Sequence, residues 1–122
     1  MTEQNKFFTI ERQVSAELIS DTLITAVESA ISYWCSSMIS RFKNESDIPY
    51  YANCFDYNWM VEIYIYDEPD SIILDINSIE KGIQIMSDNY TKHYMDMLNE
   101  GGDAITADVL FQCIAFGEVV YG

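Results

Sequence analysis

The stretch Trp59-Met60-Val61-Glu62-Ile63-Tyr64-Ile65-Tyr66-Asp67-Glu68-Pro69-Asp70-Ser71-Ile72-Ile73-Leu74-Asp75-Ile76 decides the fold. Its first eight residues alternate, which places Val61, Ile63 and Ile65 on one side of an extended chain. Asp67-Glu68-Pro69-Asp70 is turn chemistry, rich in residues that leave regular structure easily. The return segment again puts Ile72, Leu74 and Ile76 on one side. If Tyr66 pairs with Ser71, then Ile65 opposes Ile72, Ile63 opposes Leu74 and Val61 opposes Ile76. Both apolar rows then share a face. The stretch therefore predicts an antiparallel hairpin, 59–66 and 71–76, with one side buried.

Before the hairpin, Phe8, Ile10 and Val14 alternate with polar residues, which predicts an N-terminal strand over 5–14. Ser15 is a helix N-cap residue, with Glu17 in the first turn behind it. From 16 to about 42, Ile19, Leu23, Val27, Ile31, Trp34, Met38 and Phe42 recur at intervals of three and four and predict a long helix. Ser36-Ser37 marks where it would bend or stop. Residues 43–58, with Pro49, read as a loop of unusual length. Past the hairpin, Asn77 and Glu80 have capping-box spacing, and Ile79, Ile83, Met86, Tyr90, Tyr94 and Met97 form the stripe of a second long helix that Gly101-Gly102 would end. Asp103 or Thr106 would cap a short last helix carrying Val109, Leu110, Cys113 and Ile114, stopped by Gly117. The tail, Glu118 to Gly122, is apolar enough to dock. The expected architecture is one α+β domain over 1–122. A small antiparallel sheet, made of the N-terminal strand and the hairpin, packs against two long helices and a short C-terminal helix.

Composition fits a folded chain of this size. Among 122 residues, 49% are hydrophobic and 14% aromatic, too apolar for disorder. Twenty carboxylates face six Lys and Arg, a formal net charge of -14. Such a charge repels nucleic acid and anionic membranes, and it suits either a basic protein partner or simple solubility. Cys35, Cys54 and Cys113 are odd in number and widely spaced, which does not describe a disulfide framework. With no leader pattern and no membrane-length apolar run, the expected location is the cytoplasm.

The expected hairpin pairing sets Glu62 opposite Asp75 on the outer face, beside Asp67, Glu68 and Asp70 of the turn. Like charges placed so either splay into water, form a patch for a basic partner, or hold a hard cation. Glu17, Asp21 and Glu28 share a face of the first helix, as a partner-binding row or as an ordinary solvated side. His93 is the single histidine, and no nucleophile elbow or metal-ligand spacing accompanies it, so neither a catalytic residue nor a cofactor is expected. The cations Lys6, Arg12, Arg41, Lys43, Lys81 and Lys92 are scattered. An anionic small ligand such as a nucleotide would need Arg12, Arg41, Lys43 or Lys92 brought together, as across the subunits of a homo-oligomer. The aromatic excess is compatible with one.

Two stretches, Ala30-Ile31-Ser32-Tyr33-Trp34-Cys35 and Ala107-Asp108-Val109-Leu110-Phe111-Gln112-Cys113-Ile114-Ala115-Phe116-Gly117-Glu118-Val119-Val120-Tyr121-Gly122, resemble small acidic proteins encoded by bacteriophages and prophages. The resemblance extends to length and element order and carries over no functional residue. It implies a non-enzymatic inhibitor of a bacterial defence system, similar to anti-CRISPR proteins, that binds a basic host protein in the infected cell. It also leaves room for an oligomeric sponge for a nucleotide immune signal, or for a structural or accessory phage protein.

Overall fold

The computed structural model describes residues 13–41, 52–54, 57–99 and 102–122. Ser15 caps the first helix, α1 (Ala16–Thr25), by accepting the Leu18 N–H on its Oγ at 3.1 Å. That amide has no carbonyl partner inside the helix, so the cap satisfies it. The helix does not reach residue 42. Its winding widens into a π-helical turn over Ala26–Ala30 and ends at Ile31, at φ -97° and ψ 0°. The chain then turns and enters strand β1 (Cys35–Ser40).

Residues 35–40 thus become a strand where their stripe predicts a helix. The serines are neutral to helix at best, and the neighbouring strand offers partners to the backbone groups on the side that faces it. A bulge between Cys35 and Ser37 absorbs one residue, so Cys35 pairs with Ile65 and Met38 pairs with Ile63. Spacing of three, which suits a helix, is thereby fitted to spacing of two. Ser36 sits at the bulge and donates its hydroxyl to the Tyr64 carbonyl at 3.1 Å.

β2 (Met60–Ile65) and β3 (Ile72–Asp75) form the expected hairpin, and the sheet runs β1-β2-β3, antiparallel throughout. The register differs from the expected one by two residues: Val61 pairs with Leu74 and Ile63 with Ile72. A shift of two leaves every side chain on its expected face. The chain turns earlier than expected. Glu68 N–H donates to the Ile65 carbonyl at 3.2 Å, and Asp67 takes the left-handed conformation, φ 64°, which Asp tolerates better than most residues. The expected N-terminal strand falls on residues outside those described, apart from 13 and 14, which have no regular structure. Among the described residues, the sheet's third strand is β1. Most of the 43–58 loop also lies outside the described residues, although Ala52 and Asn53 are buried.

β3 runs straight into α2 (Ile76–Asn89). Asp75 is its cap, in a capping box with Ser78 rather than the expected Asn77 and Glu80. Ser78 N–H reaches Asp75 Oδ1 at 3.0 Å, and Asp75 N–H reaches Ser78 Oγ at 3.1 Å. The long helix breaks at Tyr90, φ -131° and ψ 50°, and continues as α3 (Thr91–Leu98). The stripe survives the break, since Ile79, Met86, Tyr94 and Met97 are all buried. α4 (Ala104–Phe116) starts at Asp103 and stops at Gly117, whose φ of 76° suits glycine.

One core joins these elements. Val61, Ile63, Ile65 and Leu74 bury the inner sheet face against Ile19 and Leu23 of α1, Met86 of α2 and Leu110 and Phe111 of α4. Each such side chain contributes roughly 1.5–3 kcal/mol by leaving water. α4 is apolar nearly all round because it lies at the centre, packed on α1, α2 and α3 and touching β3. α2 approaches it at Gly82, where a Cβ would come within 2.4 Å of Ile114 Cγ1 and 2.7 Å of its Cα.

A buried amide holds the tail. Gln112 is fully buried, and its Oε1 accepts the N–H groups of Val120 at 2.7 Å and Tyr121 at 2.8 Å. Its Nε2 donates to the Tyr121 carbonyl at 3.0 Å and to Asp108 Oδ1 at 2.9 Å. Asp108 also receives Trp34 Nε1 at 2.8 Å and the Tyr33 hydroxyl at 2.5 Å. Burial and this carboxylate neighbour push the Tyr33 phenol up to about 12. Tyr121 stacks on Trp34 at 5.7 Å, with Phe116 packed against both. The docked tail was legible as an apolar segment. Its polar clamp was not.

Candidate functional site

The side of the sheet turned away from the core carries the alternate residues of three short strands. Across its middle runs one row: Ile39 on β1, Glu62 on β2 and Ile73 on β3. The next rung pairs Met60 with Asp75, and on the other side Ser37 pairs with Tyr64. Ile39 is 44% exposed, Met60 38%, Ile73 56% and Tyr66, at the end of β2, 53%. No described element packs on these side chains. Scattered exposed apolar residues are ordinary on a protein surface, but several on adjacent strands form a patch.

Glu62 lies at the centre of this patch and is only 7% exposed. The two isoleucines flank it, so its carboxylate cannot splay freely into water. It is met instead by the Arg41 guanidinium, in an ion pair on Oε1, and by the Ser71 hydroxyl on Oε2. The Ser71 hydrogen bond, then those of Arg41 and its charge, hold the Glu62 carboxyl below its ordinary range. The sequence-based expectation of an opposed Glu62 and Asp75 is therefore corrected. The register shift places Ile73 on one side of Glu62 and the pairing with β1 places Ile39 on the other, while Asp75 faces Met60 and caps α2. A polar group amid apolar ones, with its hydrogen bonds satisfied, specifies alignment more than it adds attraction.

The other expected residues separate into groups. Asp67, Glu68 and Asp70 are exposed on the turn at one end of the sheet, as an acidic margin to the patch. Glu17 and Asp21 are exposed on α1. Glu28 is exposed in the π-helical turn, where wider winding interrupts the phase that aligned it with Asp21. Arg41 is engaged by Glu62, and Lys81 and Lys92 are exposed on α2 and α3. Lys6, Arg12 and Lys43 lie outside the described residues. His93 places Nδ1 3.3 Å from the Thr106 hydroxyl, a side-chain contact between α3 and α4. The three cysteines are free thiols, and burial pushes all of them up, Cys113 to about 11. Among the described residues, no three His, Cys, Asp or Glu side chains are grouped to hold a metal ion, and no helix is long and apolar enough to cross a membrane.

Ile39, Met60 and Ile73 were missed as site residues. A signal for Ile73 existed: Ile72-Ile73-Leu74 is apolar on both faces, more than a one-sided strand needs. Ile39 carried none, because its segment reads as helix. The arrangement is an apolar surface set about one hydrogen-bonded, ion-paired carboxylate. The chain matches no protein-family model, no curated protein and no solved structure.

Proposed function

We propose that the protein is a non-catalytic binding protein whose outer sheet face docks on a basic protein surface. The supporting observation is that Ile39 and Ile73 are exposed on either side of the buried Glu62, beside an acidic turn. Isoleucine, methionine and tyrosine supply a desolvated centre, which is where most interface energy concentrates. Asp67, Glu68 and Asp70 at the margin, within a net charge of -14, steer a cationic partner and repel an anionic one. A second copy of this chain is disfavoured as the occupant, because each copy carries the same charge. The resemblance to small acidic phage proteins makes the proposed partner class a cationic groove of a host defence effector, with binding as the inhibitory act.

The experiment is affinity purification from a bacterial lysate with three baits. These are the native chain, Ile39→Ser/Ile73→Ser on the face, and Asp67→Asn/Asp70→Asn on the turn. A basic protein should be retained by the native bait, lost with the face variant, and retained with steeper salt sensitivity removed in the turn variant. Equal retention by the native and face baits would refute the docking face.

A further inference from the structure

The bulge at the start of β1 separates two registers. Beyond it, Ser37 pairs with Tyr64, Met38 with Ile63 and Ile39 with Glu62; before it, Cys35 pairs with Ile65. Carried back without the bulge, the pairing of Ser37 with Tyr64 would set Ser36 against Ile65 and Cys35 against Tyr66. Faces alternate along a strand, so Ser36 would then point to the core and Cys35 to the outer face. The bulge reverses both. Cys35 is buried, whereas Ser36 is exposed with its hydroxyl on the Tyr64 carbonyl at 3.1 Å.

Trp34 is what makes the extra residue necessary. Flush pairing would draw it along the strand by one residue, about 3.3 Å. Its Nε1 could not then stay 2.8 Å from Asp108 Oδ1, nor its ring stay stacked on Tyr121 at 5.7 Å and 4°. Both contacts lead to the C-terminal tail. Gln112 donates Nε2 to the same Asp108 oxygen and to the Tyr121 carbonyl, and its Oε1 accepts the Val120 and Tyr121 N–H groups. The Val119 N–H is held by the Tyr90 hydroxyl at 2.9 Å. We infer that the docked tail is a latch on the bulge, and that its release lets β1 pair flush and turns Cys35 out beside Tyr66. Terminal segments held by few buried contacts open before the core does, and Glu118, Val120 and Gly122 are exposed. Flush pairing also buries the Ser36 hydroxyl, so the bulged, latched form is the resting one. The latch stands on the register and the tail contacts; only its effect on a partner rests on the docking reading, because Tyr66 belongs to that face.

The test is N-ethylmaleimide labelling of the full chain at neutral pH, with mass spectrometry reading Cys35 and Cys113 separately. Cys113 is buried on the central helix α4 and reports general unfolding. Tyr121→Ala removes the stacking on Trp34 and should speed Cys35 about tenfold relative to Cys113, the order of factor that one aromatic pair supports. Ser36→Val, with the tail docked, places an apolar side chain where flush pairing would bury it, and should also speed Cys35 relative to Cys113. Equal acceleration of both thiols, or an unchanged Cys35 in Tyr121→Ala, would overturn the inference. So would acceleration by Tyr121→Ala without any by Ser36→Val, which would mean that the tail merely shields the thiol. No partner enters the measurement, so a failure of the docking reading leaves these rates as they are.

Discussion

Replacing Gln112 by Leu keeps its approximate volume and removes the three hydrogen bonds its amide makes to Val120 and Tyr121, leaving the Val119 N–H on the Tyr90 hydroxyl. If the tail stayed in place, the N–H groups of Val120 and Tyr121 and the Tyr121 carbonyl would lose their partner. Buried groups left unpaired cost about 1–3 kcal/mol each, so roughly 3–9 kcal/mol in all. If the tail left, those groups would find water. The loss would then be the burial of Tyr121 and its stacking on Trp34, about 1.5–3 kcal/mol plus about 0.5–1.5 kcal/mol. The second route is cheaper. The expected outcome is a folded protein with a released tail, destabilised by about 2–4 kcal/mol. Urea unfolding followed by tryptophan fluorescence gives the magnitude, and amide exchange at Val120 and Tyr121 reports the release. A loss under about 1 kcal/mol with both amides still protected would refute the reasoning.

Gly82→Ala gains helix propensity of about 1 kcal/mol but drives a methyl into Ile114 backbone atoms. Overpacking against backbone should outweigh the gain and leave a net loss of about 2 kcal/mol, read by the same unfolding assay. Glu62 is held below the ordinary carboxylate range, so its ion pair stabilises the fold above that range and ceases to as pH falls through the depressed native value. The native chain should therefore lose more stability on acidification than Glu62→Gln does, and parallel urea midpoints across the pH series would contradict this. Cys113, raised from 9.0 to about 11, should carry about a hundredfold less thiolate than in the unfolded chain at neutral pH. Iodoacetamide modification followed by mass spectrometry should be slower by at least that factor in the folded protein.

Much of the fold was legible because periodicity survives errors of placement. The hairpin pairing was expected two residues away from where it lies, yet Val61, Ile63 and Leu74 still point inward, since two residues is the strand's own period. Ile79, Met86, Tyr94 and Met97 line one core although the helix carrying them breaks at Tyr90. Ser15, Asp103 and Gly117 mark helix ends by local chemistry, and all three do so here. What local pattern could not supply was the fate of Cys35–Ser40. Trp34 and Met38 suit a helical stripe, and only a bulge and pairing with β2 convert that spacing to a strand. The candidate site failed with it, since Ile39 joins Glu62 and Ile73 only through that pairing. The expected carboxylate pair failed by the two-residue shift, because a shift that preserves faces still changes cross-strand neighbours.

On the proposed function, the outer sheet face, and not the acidic side of α1, meets the partner. Hydrogen exchange of the complex with the captured protein, compared with the free chain, tests it most directly. Added protection is expected in 37–40, 60–67 and 71–75, with the amides around Glu17, Asp21 and Glu28 unchanged. Protection confined to α1, with the sheet exchanging as in the free protein, would contradict it.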